Sequence, residues 1–295
     1  MIESSEKRKR REATVAGIFY PEEPDALGAE IDRLLGSAEP LFGGRIVSRA
    51  RAILAPHASL GYSGDLAALA WKAAEGRGVS RVVAISPLHR AEESLVYLPE
   101  AEFFETPFGP VPVDQRSVEE LLDCGTAFSR NDIPHFEEHG VEMQLPFMRR
   151  LFPRASLVPI LVGKPSSSLV RALASALGIV FAKEAEETLF VLSTDLATCA
   201  KAESDAERAE AEDRAERFIE LVAQGDWRGI LEERAGSEYA ACGAACVAAW
   251  LASPLAEDSR SLVLGMHDSS ASRESEQERL VFYAALAFAA GDGEA

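Results

Sequence analysis

Apolar and polar positions along the chain fall into two alternating kinds of segment. Short runs rich in Val, Ile and Leu recur as AILAP at 52–56, RVVAIS at 81–86, SLVPILVG at 156–163, TLFVLS at 188–193 and SLVLG at 261–265. None of them alternates apolar with polar residues, which is how strands covered on both faces read. Between them lie longer stretches of helical pattern, at 65–74, 141–152, 169–183 and 203–222. This order predicts an α/β protein, a single three-layer α/β/α domain around a largely parallel central sheet. No repeat or low-complexity linker divides the chain, so residues 13–291 are expected to form one domain behind a flexible basic tail, 1–12.

Two segments depart from that rhythm. Residues 202–220 carry eight acids against three arginines, with Glu210 and Arg214, and Asp213 and Arg217, spaced i,i+4. That spacing predicts a solvated helix face rather than a binding site. In FFETPFGPVPVD, 103–114, three prolines and a glycine forbid a regular central strand. An irregular or edge-strand excursion beside the functional site is expected there.

Composition narrows the function classes. The chain has 295 residues and is 47% hydrophobic, enough for a large core. No apolar run approaches the ~18 residues of a membrane span. The basic N-terminus lacks the apolar stretch of a signal peptide, so a cytoplasmic protein is expected, and its four cysteines should be reduced thiols. Net charge is −18, and about −20 without the first twelve residues, which opposes nucleic-acid binding through a broad basic face. The run KRKRR reads as a solvated tail.

The chemistry is expected where the buried strands end. AILAP runs into His57, RVVAIS into Pro87, Leu88 and His89, and TLFVLS into Thr194 and Asp195. Ligands of open α/β sheets bind at the carboxyl ends of strands, and two of only five histidines stand there with an aspartate. Neutral imidazole with carboxylate suits a divalent first-row metal, and a cysteine biases the set towards softer ions. Cys242, just before an alanine-rich helical stretch, is the leading cysteine; Cys246, one turn on, reads as a small core residue. A competing motif is PHFEEHG at 134–140, whose H-x-x-E-H is the signature of an inverted zinc metallopeptidase. That site needs His135 and His139 on one continuous helix, and Gly140 leaves room for about one turn.

Eight stretches occur in the order and spacing of the Memo family: VAGIFYP, APHASLGYSG, SPLHR, ETPFGPVPVD, EEHGVEMQLPF, LVPILVG, STDLATC and ACGAACVAAWL. The chain resembles that family over nearly its whole length. The resemblance implies a fold similar to class III extradiol dioxygenases, the non-haem iron enzymes that open catechol rings. It implies a metal site lined by His57, His89 and Cys242 with Asp195 beside it; the dioxygenase likeness points to iron, and a thiolate ligand, softer than a carboxylate, adds copper, so iron or copper is expected. It places His139 and Glu142 in the cleft, so His139, Glu142 and Asp195 are the candidate catalytic groups. It also implies a small molecule or peptide as the cleft's occupant, and AMMECR-type or radical-SAM proteins as partners.

The sequence departs from the family pattern in two places. A His usually follows the S-[ST]-D element by three residues, and here that position is Thr198. The site therefore lacks the expected proton-transfer imidazole, and ring cleavage is not expected. Ser59 and Leu60 also stand where the family runs directly from APHA into Gly-Tyr. A metal-binding protein with a redox role and a non-catalytic binding protein using the same cleft are the two leading expectations.

Overall fold

The computed structural model describes residues 9–200, 204–237, 239–271 and 279–290. Residues 1–8 of the expected tail, residue 203 and residue 291 lie outside the described residues. Four strands, Ala52–Ala55, Thr188–Ser193, Arg81–Pro87 and Ser156–Val162, lie side by side in that order and run parallel. Apart from the first residues of two of them, all are buried, as their unbroken apolar runs require. Ser193 pairs with Ala55 and Val162 with Pro87, so the strands finish at one level.

Antiparallel strands complete the sheet on both sides. Arg279–Ala290 pairs with Ala52–Ala55 and carries Ser259–Asp268 and Thr198–Ala200, while Val96–Leu98 and then Phe128–Arg130 extend the other side. The run at 261–265 is thus an outer antiparallel strand, only half-buried.

Helices form the two outer layers of a three-layer α/β/α fold. Leu60–Lys72 packs on Ala52–Ala55 together with Pro24–Ser37 and Leu145–Leu151, and Trp71 stacks on Phe147 with ring centroids 6.5 Å apart. Ser167–Phe181 and Ala244–Leu251 form the other layer, where Trp250 meets Phe190 and Phe288. Asp205–Gln224 starts at a capping box between Ser204 and Glu207. On it Glu210 pairs with Arg214 as expected, but Arg217 reaches Glu220 and Glu233 instead of Asp213. Among the described residues no helix is long and apolar enough to cross a membrane.

The basic N-terminus requires a correction. Arg10–Arg11 is not a solvated tail: it forms a strand parallel to Phe103–Phe104, which pairs in turn with Val111–Pro112. Arg11 is 1% exposed. Its guanidinium pairs with the Glu142 carboxylate and donates to the carbonyls of His135 and Glu138 at 2.8 and 2.7 Å. A buried charge needs such partners, and these three come from the distant segment 135–142, with Glu12 O and Thr14 Oγ1 adding local acceptors at 2.9 and 3.1 Å. The proline-rich excursion at 103–114 is the edge against which this strand docks.

Candidate metal centre

Three neighbouring strands deliver the polar groups. His57 lies two residues beyond Ala52–Ala55, His89 two beyond Arg81–Pro87, and Thr194 and Asp195 directly beyond Thr188–Ser193, the strand between them. Cys242 arrives from the opposite direction, two residues before Ala244–Leu251, a helix that packs over Thr188–Ser193 and Arg81–Pro87. One ligand atom from each of His57, His89 and Cys242 lies within 4.8 Å of the others. Asp195 stands beside them, its Oδ1 accepting the His57 backbone N–H at 2.9 Å and its Oδ2 3.9 Å from His57 Nε2.

Hydrogen bonds fix which imidazole nitrogen faces the cluster. Ser193 Oγ donates to Gly140 O at 2.7 Å and accepts from Gln144 Nε2 at 3.1 Å. Its remaining lone pair therefore accepts from His57 Nδ1–H at 2.9 Å, which leaves His57 Nε2 facing Cys242 Sγ at 3.4 Å. Gln144 is itself held by Trp71 Nε1–H at 2.9 Å and donates to Pro56 O at 3.0 Å. At His89 the buried Glu138 carboxylate accepts both the backbone N–H, at 2.6 Å, and Nδ1–H, at 2.8 Å. Glu138 fixes the His89 ring as carboxylates do for metal-binding histidines. His89, Glu138 and His139 form a second close group, but its His89–Glu138 contact is this supporting hydrogen bond. Close packing enforces the arrangement: a Cβ at Gly140 would collide with Ser86 and press on His57, and one at Gly243 would collide with Thr194.

The electrostatics invert the usual order of thiol and imidazole. Burial raises the Cys242 pKa, but the His57 charge and hydrogen bonds from His57 and His89 outweigh it and bring it down to about 6. The sulfur also accepts Asp195 N–H at 3.3 Å. Burial lowers the His89 pKa, yet hydrogen bonds to Cys242 and Glu138 lift it to about 10. At His57, too, burial is outweighed, by Asp195 and Cys242, and the pKa is raised. Without metal, the neutral-pH cluster is therefore a Cys242 thiolate beside the His89 imidazolium. Its thiolate absorption should develop as pH rises through about 6, and vanish in Cys242→Ser. Cys124, Cys199 and Cys246 are all raised above the ordinary 9.0, so a single transition near 9 would contradict this environment.

The H-x-x-E-H motif is split by the fold. The helix Asp132–Glu137 stops before Glu138, so His135 and His139 share no helix face. His135 is buried against Phe104, and burial together with the Arg11 charge drops its pKa to about 3. The metallopeptidase arrangement is therefore absent. Glu138 and His139 turn the other way. The His139 ring stacks on His89 at 5.4 Å and meets His57 edge-on at 5.3 Å. Burial, then the charges of His57 and His89, lower its pKa to about 4, so it is a neutral imidazole.

Glu142 is the second correction. It does not line the cleft: it is 0% exposed and accepts from Arg11, Thr14 N–H, Val15 N–H and the Tyr20 hydroxyl. Thr198 begins the strand Thr198–Ala200, opposite Val281, with its N–H donated to Tyr239 O at 2.8 Å. His267 pairs with Asp65 at 3.0 Å, away from the cluster. Glu138 escaped the sequence argument, although the motif that contains it was the available signal.

A cleft of about 760 Å³ opens beside the cluster, with His89 and Cys242 in its wall. Its lining also comes from Pro87, Leu88 and Ala91 around His89, from the loop and helix start at 162–167, from the helix Trp227–Gly236, and from Ala245 and Cys246.

The fold and site define an α/β protein with a His-His-Cys cluster at the carboxyl edge of a mostly parallel sheet. The chain belongs to the Memo family: the Memo-like protein family model matches residues 11–287. It is 36% identical over 195 residues to a MEMO1 family protein of Thermotoga sp. strain RQ2, covering 63% of this chain and 70% of that one. A MEMO1 family protein of Thermoplasma acidophilum is 29% identical over 282 residues, 94% of this chain and 98% of its own. Protein MEMO1 of Danio rerio is 33% identical over 190 residues, 63% of this chain and 61% of its own.

Proposed function

We propose that this Memo family protein holds one redox-capable metal ion, iron or copper, through His57 Nε2, His89 Nε2 and Cys242 Sγ. The observation that carries the reading is the convergence of these three donors with both Nδ1 positions already committed, one to Ser193 and one to Glu138. Two imidazoles and a thiolate form a donor set softer than a carboxylate-completed one, which suits these metals. When bound, the metal supplies Lewis-acid and one-electron chemistry to whatever enters the cleft. Asp195 adds negative charge beside His57, and neutral His139, stacked on the His89 ring, provides a weakly basic imidazole able to accept a proton.

The test is metal analysis of anaerobically purified protein. One iron or copper per chain is expected, lost in the double variant His57→Ala, His89→Ala with the fold retained. Full metal content in that variant, with loss instead in His135→Ala, His139→Ala, would return the site to the H-x-x-E-H motif.

A second reading, a non-catalytic protein that uses the same cleft for a peptide, draws on Thr198 standing where the family pattern usually has a His, the position comparable to the proton-transfer His of the extradiol dioxygenases. The neutral imidazole of His139 weighs against it, because the site retains a group for proton transfer. Turnover of any cleft ligand that depends on His139 decides between the two.

A further inference from the structure

The charge of the cleft wall runs opposite to that of the chain. Acids outnumber Lys and Arg by 48 to 30 overall, yet the wall presents Lys164, Arg228 and Arg234 against one acid, Glu232. Lys164 follows the strand Ser156–Val162 and stands next to Ser166 and Ser167, which open the 15-residue helix Ser167–Phe181. Arg228 and Arg234 come from Trp227–Gly236, and the Arg228 guanidinium stacks on the Trp227 ring at 4.3 Å. That stack orients the cation while leaving its N–H edge for an anion. The remaining wall is largely apolar, with Pro87, Leu88, Val162, Pro165, Leu231 and Ala245 among it.

We infer that the cleft takes a small organic anion, its carboxylate or phosphate held by Lys164 and Arg228 and its other end presented to His89 and Cys242. The volume of about 760 Å³ suits a ligand of small-molecule size. A cationic wall in an acidic protein concentrates anions locally, and low-dielectric walls sharpen that field. The apolar part of the lining accommodates the ligand's hydrocarbon body. Neutral or cationic compounds gain nothing from the wall and are expected to be poor ligands. Which end reacts depends on the metal-centre reading; binding of the anion at the wall does not, so the two are measured separately.

Inorganic phosphate and succinate, titrated in turn into the full chain as purified and after chelation, read the site by calorimetry. Saturable binding of at least one of them at one site per chain is expected in both states, and the better probe tells phosphate from carboxylate. The double variant Lys164→Ala, Arg228→Ala should weaken it by about tenfold or more, whereas Lys183→Ala, which removes an exposed cation outside the cleft wall, should change it by less than about twofold. Both wall residues are exposed, so the variant should fold as the parent does. The inference is overturned if neither anion saturates, or if the double variant binds like the parent. It is also overturned if His89→Ala abolishes binding that the wall variant keeps, because the anion then sits at His89 and not on the cationic wall. Absence of metal from the anaerobically purified chain, with anion binding intact, would refute the metal centre and leave this inference standing.

Discussion

Arg11→Met should cost about 3–5 kcal/mol of folding stability, the range for breaking a buried ion pair by removing one partner. The guanidinium is 1% exposed and the Glu142 side chain 0%. Methionine fills much of the volume, so the loss measures the stranded carboxylate and the carbonyls left without this donor, His135 O, Glu138 O and Glu12 O, more than a cavity. Arg10→Met is the control in the same strand. Its guanidinium is half-exposed and pairs with Glu105 at the surface, where such pairs contribute roughly 0–1 kcal/mol. Urea and thermal unfolding of the two variants make the comparison. Equal losses would mean that the strand itself, and not the buried pair, is what matters.

The pH dependence separates charge from packing. In the parent, burial raises the Glu142 pKa but Arg11 and the surrounding donors hold it below the ordinary 4.5. A depressed carboxyl contributes stability above its unfolded pKa that is lost as pH falls through the folded one. Without Arg11 the opposing burial effect prevails and Glu142 takes up a proton more readily on folding. The deficit of Arg11→Met should therefore be largest near neutrality and narrow below about pH 4.5. A deficit that stays constant across that range would assign the loss to packing.

The parts of the site legible in the sequence were those carried by uninterrupted apolar strands. A parallel strand buried on both faces announces itself by composition, and its carboxyl end has a known role, so His57, His89 and Asp195 could be placed on one edge. Cys242 was legible by its place before a helix and by family motif. Glu142 and Arg11 were not legible, because the pair joins residues 131 positions apart, and a charge run at a terminus carries no sign of the one member that is buried. Glu138 and His139 were obscured by their own motif: H-x-x-E-H presumes a helix, whereas the helix ends at Glu137 and sends His135 to one side and its two companions to the other. The cationic cleft wall was hidden for a different reason. Lys164 and Arg228 are 64 positions apart by their residue numbers and lie in an acidic chain, so only the fold reveals a local reversal of charge.

Glu138→Gln should weaken metal binding by about 10-fold to 100-fold, the usual cost of removing the partner that orients a ligand histidine. Glutamine keeps the size of the side chain, and its carbonyl can still accept the His89 backbone N–H. The amide nitrogen then faces His89 Nδ1–H, donor against donor, so the ring loses the carboxylate that fixes its tautomer. Proton competition gives the effect a sign with pH. In the parent, Glu138 helps hold the His89 pKa at about 10, so a metal must displace a proton there at neutral pH. The variant has a less basic His89 and less competition. Its deficit should therefore be largest on the alkaline side of neutrality and shrink as pH falls. Glu137→Gln removes the same charge one residue away from an exposed side chain and should leave affinity unchanged. Competition against a chromophoric chelator under anaerobic conditions, with unfolding curves to confirm that both variants stay folded, provides the measurement. Parent-like affinity in Glu138→Gln at alkaline pH, or an equal loss in Glu137→Gln, would remove Glu138 from the site and with it the argument that His89 offers Nε2 to a metal.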